Sequence, residues 1–206
     1  MAPSDATRTR SPKGEREAAR ILAAATTVLA REGIGGATLG RIAAEAGVDK
    51  RMLVYYFGGR DPLLAEVVRE VGDRLIEAIR ASLVVTDRLE TLAEAVLERI
   101  WARTTQDPRL VQAYFALASG AGEDDAPTRA LRALKERFER VFGDYIALLE
   151  DHGHRLRVDR DGHVTLVIAL WRGLSLEWLE QGDTPALRTA LAEFRQVAAA
   201  PFAPPD

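Results

Sequence analysis

Residues 38–57 read TLGRIAAEAGVDKRMLVYYF, two short apolar-faced segments joined at Gly47. Thr38 is placed to cap the first, since its hydroxyl can accept from an otherwise unpaired backbone N–H in the first turn. Ile42 and Ala43 supply an apolar face, and small Ala46 allows close packing. Gly47 stands where the first helix must end, because glycine enters the left-handed cap conformation without a Cβ penalty. Val48 fills the corner, and Asp49 is a cap for a second helix over Lys50–Tyr56. A segment this short cannot hold itself helical in water and needs other helices behind it. Two short helices about a tight turn are an arrangement that lays the second helix in a DNA groove. Lys50, Arg51, Tyr55 and Tyr56 fit that use, because cations and phenols suit phosphates and base edges.

Working outward, residues 13–32 read as a helix with Ile21, Leu22, Ala25, Val28 and Leu29 on one buried stripe. Gly33, Gly35 and Gly36 break it ahead of Thr38. Residues 1–11 offer little to bury and are expected to form a disordered arm. Arg10 in that arm and Lys13 beyond it either reach the DNA minor groove or backbone, as basic arms do, or simply meet solvent. A longer helix is expected from Arg60 to about Leu83. Five more follow at Asp87–Thr104, Asp107–Ser119, Pro127–Asp151, Gly162–Glu180 and Thr184–Ala199. The breaks are an acidic loop from Gly120 to Pro127, Gly153, and a turn in which Thr184 caps Pro185 at the first helical position. The expected class is all-α, with about nine helices and no strand.

The N-terminal pattern resembles the TetR family of bacterial transcriptional repressors. Ile21, Leu22, Ala25, Leu29, Gly33, Thr38, Ile42, Ala43, Ala46, Gly47, Val48, Leu53, Phe57, Arg60, Leu63 and Leu64 carry the resemblance in register. It implies a DNA-binding helix-turn-helix head at residues 1–60, and a helical ligand-binding and dimerisation body at 61–206. The DNA-contacting set it implies is Thr38, Arg41, Lys50, Arg51, Met52, Tyr55, Tyr56 and Arg60, with Arg10 and Lys13 from the arm. Val54 stands where the family often has a phosphate-binding tyrosine, and either Tyr55 or Tyr56 can take over that contact. The fourth helix opens Gly-Gly-Arg-Asp-Pro; Arg60 keeps the family's charge, and Pro62 fits a first turn.

Charge is uneven along the chain. Residues 1–62 hold ten Lys and Arg against seven Asp and Glu, whereas residues 63–206 hold eighteen against twenty-four. The overall net charge of −3 is compatible with DNA binding when the cations gather on one face. With no Cys, disulfide and thiol chemistry is excluded and a bacterial cytoplasmic setting is compatible. No apolar run approaches the roughly 20 residues that span a bilayer, and no signal-peptide core is visible at the start.

In the body, large aromatics recur, and Phe138, Phe142 and Tyr145 share one helix face. They are either core or the wall of an apolar pocket. The resemblance implies a pocket for an unidentified small apolar effector, with Trp101, Tyr114, Phe142, Tyr145 and Trp171 as its expected wall. The last two helices are more apolar than one buried face requires. Either the monomer buries them wholly or a second copy covers them; the resemblance implies a homodimer seam through Leu166, Leu170, Gly173, Leu174 and Leu191. His152, His154 and His163 are expected on a surface loop, not around a metal. No nucleophile elbow or phosphate loop is present, so neither an enzyme nor a cofactor is expected. The leading reading is a dimeric, ligand-responsive repressor on a pseudo-palindromic double-stranded DNA operator. The alternative is a helical small-molecule-binding protein with no DNA role.

Overall fold

The computed structural model describes residues 11–81, 89–120 and 124–203. Nine helices and one pair of two-residue strands are seen among them. The head comprises α1 (Pro12–Gly36), α2 (Leu39–Ala46) and α3 (Lys50–Phe57). The body comprises α4 (Arg60–Arg80), α5 (Leu89–Gln106), α6 (Pro108–Gly120), α7 (Ala126–Asp151), α8 (Arg160–Gln181) and α9 (Pro185–Ala199). None of the described helices is long and apolar enough to cross a membrane. Most of the expected arm, with Arg10, lies outside the described residues, as do Asp87 and Leu83.

Local chemistry explains the element ends. Ser11, Thr38, Asp49, Asp125, Asp159 and Thr184 each accept a backbone N–H of the following first turn, through a hydroxyl or a carboxylate. Such caps satisfy donors that the helix itself cannot. Gly33 interrupts α1 with φ +68°, after which one further turn reaches Gly36. The break expected at three glycines is therefore made by one.

Ile21, Ala25, Val28 and Leu29 of α1 pack with Ile42 of α2, Leu53 of α3 and Leu63 and Leu64 of α4. The same buried set runs on through Val67, Val71 and Ile76 into Leu117 of α6 and Leu134, Val141 and Leu149 of α7. Head and body thus share one continuous core. α4 lies along α7 and also meets the head, while α1 lies along α6. Gly72 permits the α4–α7 approach: a Cβ there would stand 2.5 Å from Leu134 Cδ1.

The strandless expectation is corrected in one place. β1 (Arg155–Leu156) pairs antiparallel with β2 (Phe202–Ala203), Arg155 opposite Ala203 and Leu156 opposite Phe202. The pair ties the turn after α7 to the segment leaving α9, with Arg157 N–H donating to Pro201 O at 2.9 Å. Two-residue strands leave no alternation to read, because their pairing depends on where two distant helix ends arrive.

Candidate nucleic-acid interface and ligand cavity

The two short helices and the turn between them are held by four local bonds. Thr38 Oγ1 accepts from Arg41 N at 3.2 Å, and Asp49 Oδ1 accepts from Arg51 N at 2.7 Å. Between them Gly47 takes φ +65°, letting its own N–H reach Ala44 O and Val48 N–H reach Ala43 O at 3.0 Å. Gly58, at φ +82°, ends α3 the same way. This fixes the direction of α3 relative to α2.

Leu53 is the one fully buried side chain of α3. Lys50, Arg51, Val54 and Tyr55 are exposed, and Met52 is half-buried. The two tyrosines part ways: Tyr55 is 70% exposed, while Tyr56 leans on the core beside Phe57. Their rings meet edge-on at 5.2 Å. Thr38, Arg41 and Lys13 are also exposed, Lys13 in the first turn of α1. Behind them Arg31 bridges Glu32 at 2.8 Å and Glu45 at 3.3 Å, and Arg41 lies 3.4 Å from Glu32. The hydrogen bond from Arg31, with Arg41 near, holds the Glu32 carboxyl below its usual range.

Arg60, expected among the DNA contacts, binds within the chain. Its Nε donates to Ala37 O at 2.9 Å and its Nη2 to Ile34 O, with Asp61 alongside at 3.3 Å. The guanidinium closes the carbonyl end of α1 onto the start of α4, which has no side-chain cap of its own. Nε, Nη1 and Nη2 each have a partner within the chain.

In the body, a cavity of about 100 Å³ opens among α4, α5, α6, α7, α8 and α9. Of the five aromatics expected to line it, Tyr114, Phe142 and Trp171 do. Trp101 does not; it packs edge-on against Trp171 at 5.5 Å and Trp178 at 6.1 Å, backing the wall instead of forming it. Tyr145 faces a second cavity of about 70 Å³, shared with Phe142, His163 and Phe202. Burial raises the pKa of both Tyr114 and Tyr145. Phe115, Phe138 and Phe194 complete the aromatic wall of the larger cavity. Phe138 was within reach of sequence reasoning, standing four residues before Phe142 on the same helix face. Phe194 was not, since α9 meets the cavity only through the tertiary fold.

The histidines also need correction. His154 is 2% exposed, its Nδ1 without a partner among the described residues, and His163 is 7% exposed. His163 stacks edge-on with Phe202 at 5.9 Å, and burial lowers its pKa despite a hydrogen bond to the Ala198 backbone. Only His152 remains at the surface. The β1–β2 pair folds the chain over the other two.

The five expected seam residues divide by direction. Leu166 is 46% exposed, and a Cβ on Gly173 would meet nothing. Ala169 and Leu176 are exposed on the same helix, and Val197 on α9. Leu170 and Leu174 turn inward against Leu97, Val167 and Phe194, while Leu191 is half-buried.

Residues 21–67 match the family model described as bacterial regulatory proteins, tetR family. A stretch of 126 residues is 28% identical to the HTH-type transcriptional regulator BetI of Vibrio vulnificus strain YJ016, over 57% of this chain and 61% of that protein. A stretch of 52 residues is 44% identical to the HTH-type transcriptional repressor SCO4008 of Streptomyces coelicolor, over 25% of this chain and 27% of that one. The matches thus span less than two thirds of either relative. The fold is similar to that of a TetR transcription regulator from Haloarcula marismortui ATCC 43049, with a TM-score of 0.75 over 92% of this chain and 100% of the other, at 22% identity.

Proposed function

We propose, for a chain that belongs to the TetR family of bacterial regulators, that it is a homodimeric, ligand-responsive repressor of the bacterial cytoplasm. Its head, residues 1–60, binds double-stranded DNA through α3, and its body, residues 61–206, carries the effector cavity and the dimer seam. One observation carries the reading: α3 is anchored by the buried Leu53, with Tyr56 and Phe57 against the core, while Lys50, Arg51 and Tyr55 project from a capped, fixed helix. A helix so held presents cations to phosphates and donors to base edges without first having to be ordered. Met52 on α3 and the exposed Thr38, Arg41 and Lys13 elsewhere on the head are assigned to the same interface. Arg60 acts at one remove, by holding the head to α4. The head's excess of cations over an acidic body favours an orientation with α3 toward DNA.

The seam is assigned to Leu166, Ala169, Gly173 and Leu176 of α8 with Val197 of α9, apolar or small residues left open in the single chain. An exposed apolar face of this kind marks an interaction surface. Two coupled heads then meet a pseudo-palindromic site.

Two helices supply a route from cavity to head. α6 carries Tyr114 and Phe115 in the wall and ends at Gly120 against Ile34. α4 carries Leu75 and Ile79 in the wall and begins at Arg60, whose guanidinium holds Ile34 O. A ligand that favours one setting of these helices changes operator affinity by linkage. A binder with no DNA role has no need of the exposed cations on α3.

The test is the double variant Lys50→Ala/Arg51→Ala, titrated against operator DNA across salt concentrations. Loss of two phosphate contacts should weaken binding and flatten the log–log salt slope by up to about two units. Unchanged affinity and slope would remove α3 from the interface.

A further inference from the structure

The larger cavity has a chemical polarity that narrows its ligand. Its wall is aromatic and aliphatic, yet includes Ser175, Arg172 and Lys135 and no Asp or Glu. Ser175 is 2% exposed, and its Oγ has no hydrogen-bond partner among the described residues. A buried hydroxyl left unanswered is uncommon and calls for an explanation. Arg172 stands one helical turn before it on α8, so the two share a face. The Arg172 guanidinium lies over the Tyr114 ring, 5.5 Å from its centroid, and no carboxylate of the described residues pairs with it. Lys135 differs, because Glu139 neutralises it. Arg172 is exposed, so the wall offers, on one face of α8 at the mouth of an apolar chamber, a solvent-reached cation with no ion-pair partner among the described residues and one unanswered hydroxyl.

We infer that the cavity takes a compact aryl carboxylate, its ring among Phe138, Phe142 and Trp171 and its carboxylate against Arg172 and Ser175. This rests on the proposal that the cavity is the effector site, and narrows it to a class. The planar guanidinium matches a carboxylate, and the Ser175 hydroxyl donates to one of its oxygens. An ammonium ligand would meet Arg172 with the wrong sign. A neutral apolar molecule would leave the Ser175 hydroxyl buried and unpaired, as before.

The experiment compares three molecules of one shape on the full chain: 3-phenylpropionate, 3-phenylpropanamide and 3-phenylpropylamine. Calorimetry and tryptophan fluorescence read binding, and operator titration reads the consequence. The carboxylate should bind at least tenfold more tightly than the amide, with the amine weakest. Arg172→Gln should erase that preference, and Arg172→Lys should restore part of it. Ser175→Ala should weaken the carboxylate about tenfold without lowering the melting temperature of the unliganded protein, since the hydroxyl it removes has no partner among the described residues. Equal affinity for the three, a tighter amide or amine, or a preference that survives Arg172→Gln overturns the inference. A carboxylate that binds as described yet leaves operator affinity unmoved upholds it and overturns the effector reading instead. Binding of none of the three overturns both.

Discussion

Arg60 and His163 show what a single position can hide. As a letter, Arg60 is a cation beside the recognition helix; in the fold, its guanidinium is a bracket across Ile34 and Ala37 carbonyls. Arg60→Ala should therefore destabilise the head by about 1–3 kcal/mol, two charged hydrogen bonds discounted for partial exposure. Arg60→Lys should recover little of it, because a point charge cannot span both carbonyls. Thermal melting with operator titration checks this: a variant that melts normally and loses only DNA affinity would return Arg60 to the interface. His163 carries a pH dependence. Its folded pKa lies below the ordinary 6.5, so the unfolded chain binds the proton more readily. Stability should be full above about pH 6.5 and fall as pH drops toward the folded value. Denaturant midpoints at neutral and mildly acid pH should separate more in the wild type than in His163→Gln; equal separations would remove His163 as the source. Neither role is legible in sequence, because each depends on a partner far away in the chain. The caps Thr38, Asp49 and Thr184 are legible, because their partners lie two or three residues on.

At the scale of elements, the end of α6 presses on the end of α1. A Cβ at Gly120 would stand 2.1 Å from Ile34 Cγ2 and 3.2 Å from its Cβ. Those atoms sit at the root of a branched side chain and cannot swing away, so the helices themselves must part. Gly120→Ala should cost about 1–3 kcal/mol by overpacking. It should also change the factor by which ligand alters operator affinity, since the contact lies on the route proposed from cavity to head. Melting curves and operator titrations with and without ligand measure both; unaltered stability and coupling would show that α6 does not transmit through this contact. The helices themselves were readable from apolar spacing and breaks, and the helix-turn-helix almost residue by residue. The cavity was readable only as a region. Tyr114, Phe142 and Trp171 belong to its wall, while Trp101 stacks behind it, and which way an aromatic on a broadly apolar helix turns is decided by its neighbours.

For the whole molecule, the proposed dimer is what would let two heads act together. Leu170→Glu would confuse the matter, because Leu170 packs within its own chain and its loss would damage the fold. Leu166→Glu and Gly173→Glu enter open positions and should leave the protomer folded. They should separate it into monomers by placing charge in a packed seam, a cost of several kcal/mol. Sedimentation should then show folded monomers with weak operator binding; dimers that survive both changes would place the seam elsewhere. The most direct measurement of all is selection of binding sites by the purified protein from a random double-stranded DNA pool. Two α3 helices fixed by one seam should enrich an inverted repeat, its half-sites about 34–36 Å or a multiple apart along the duplex. Enrichment of a single unrepeated site, or none above the pool, would contradict a dimer that reads DNA through α3.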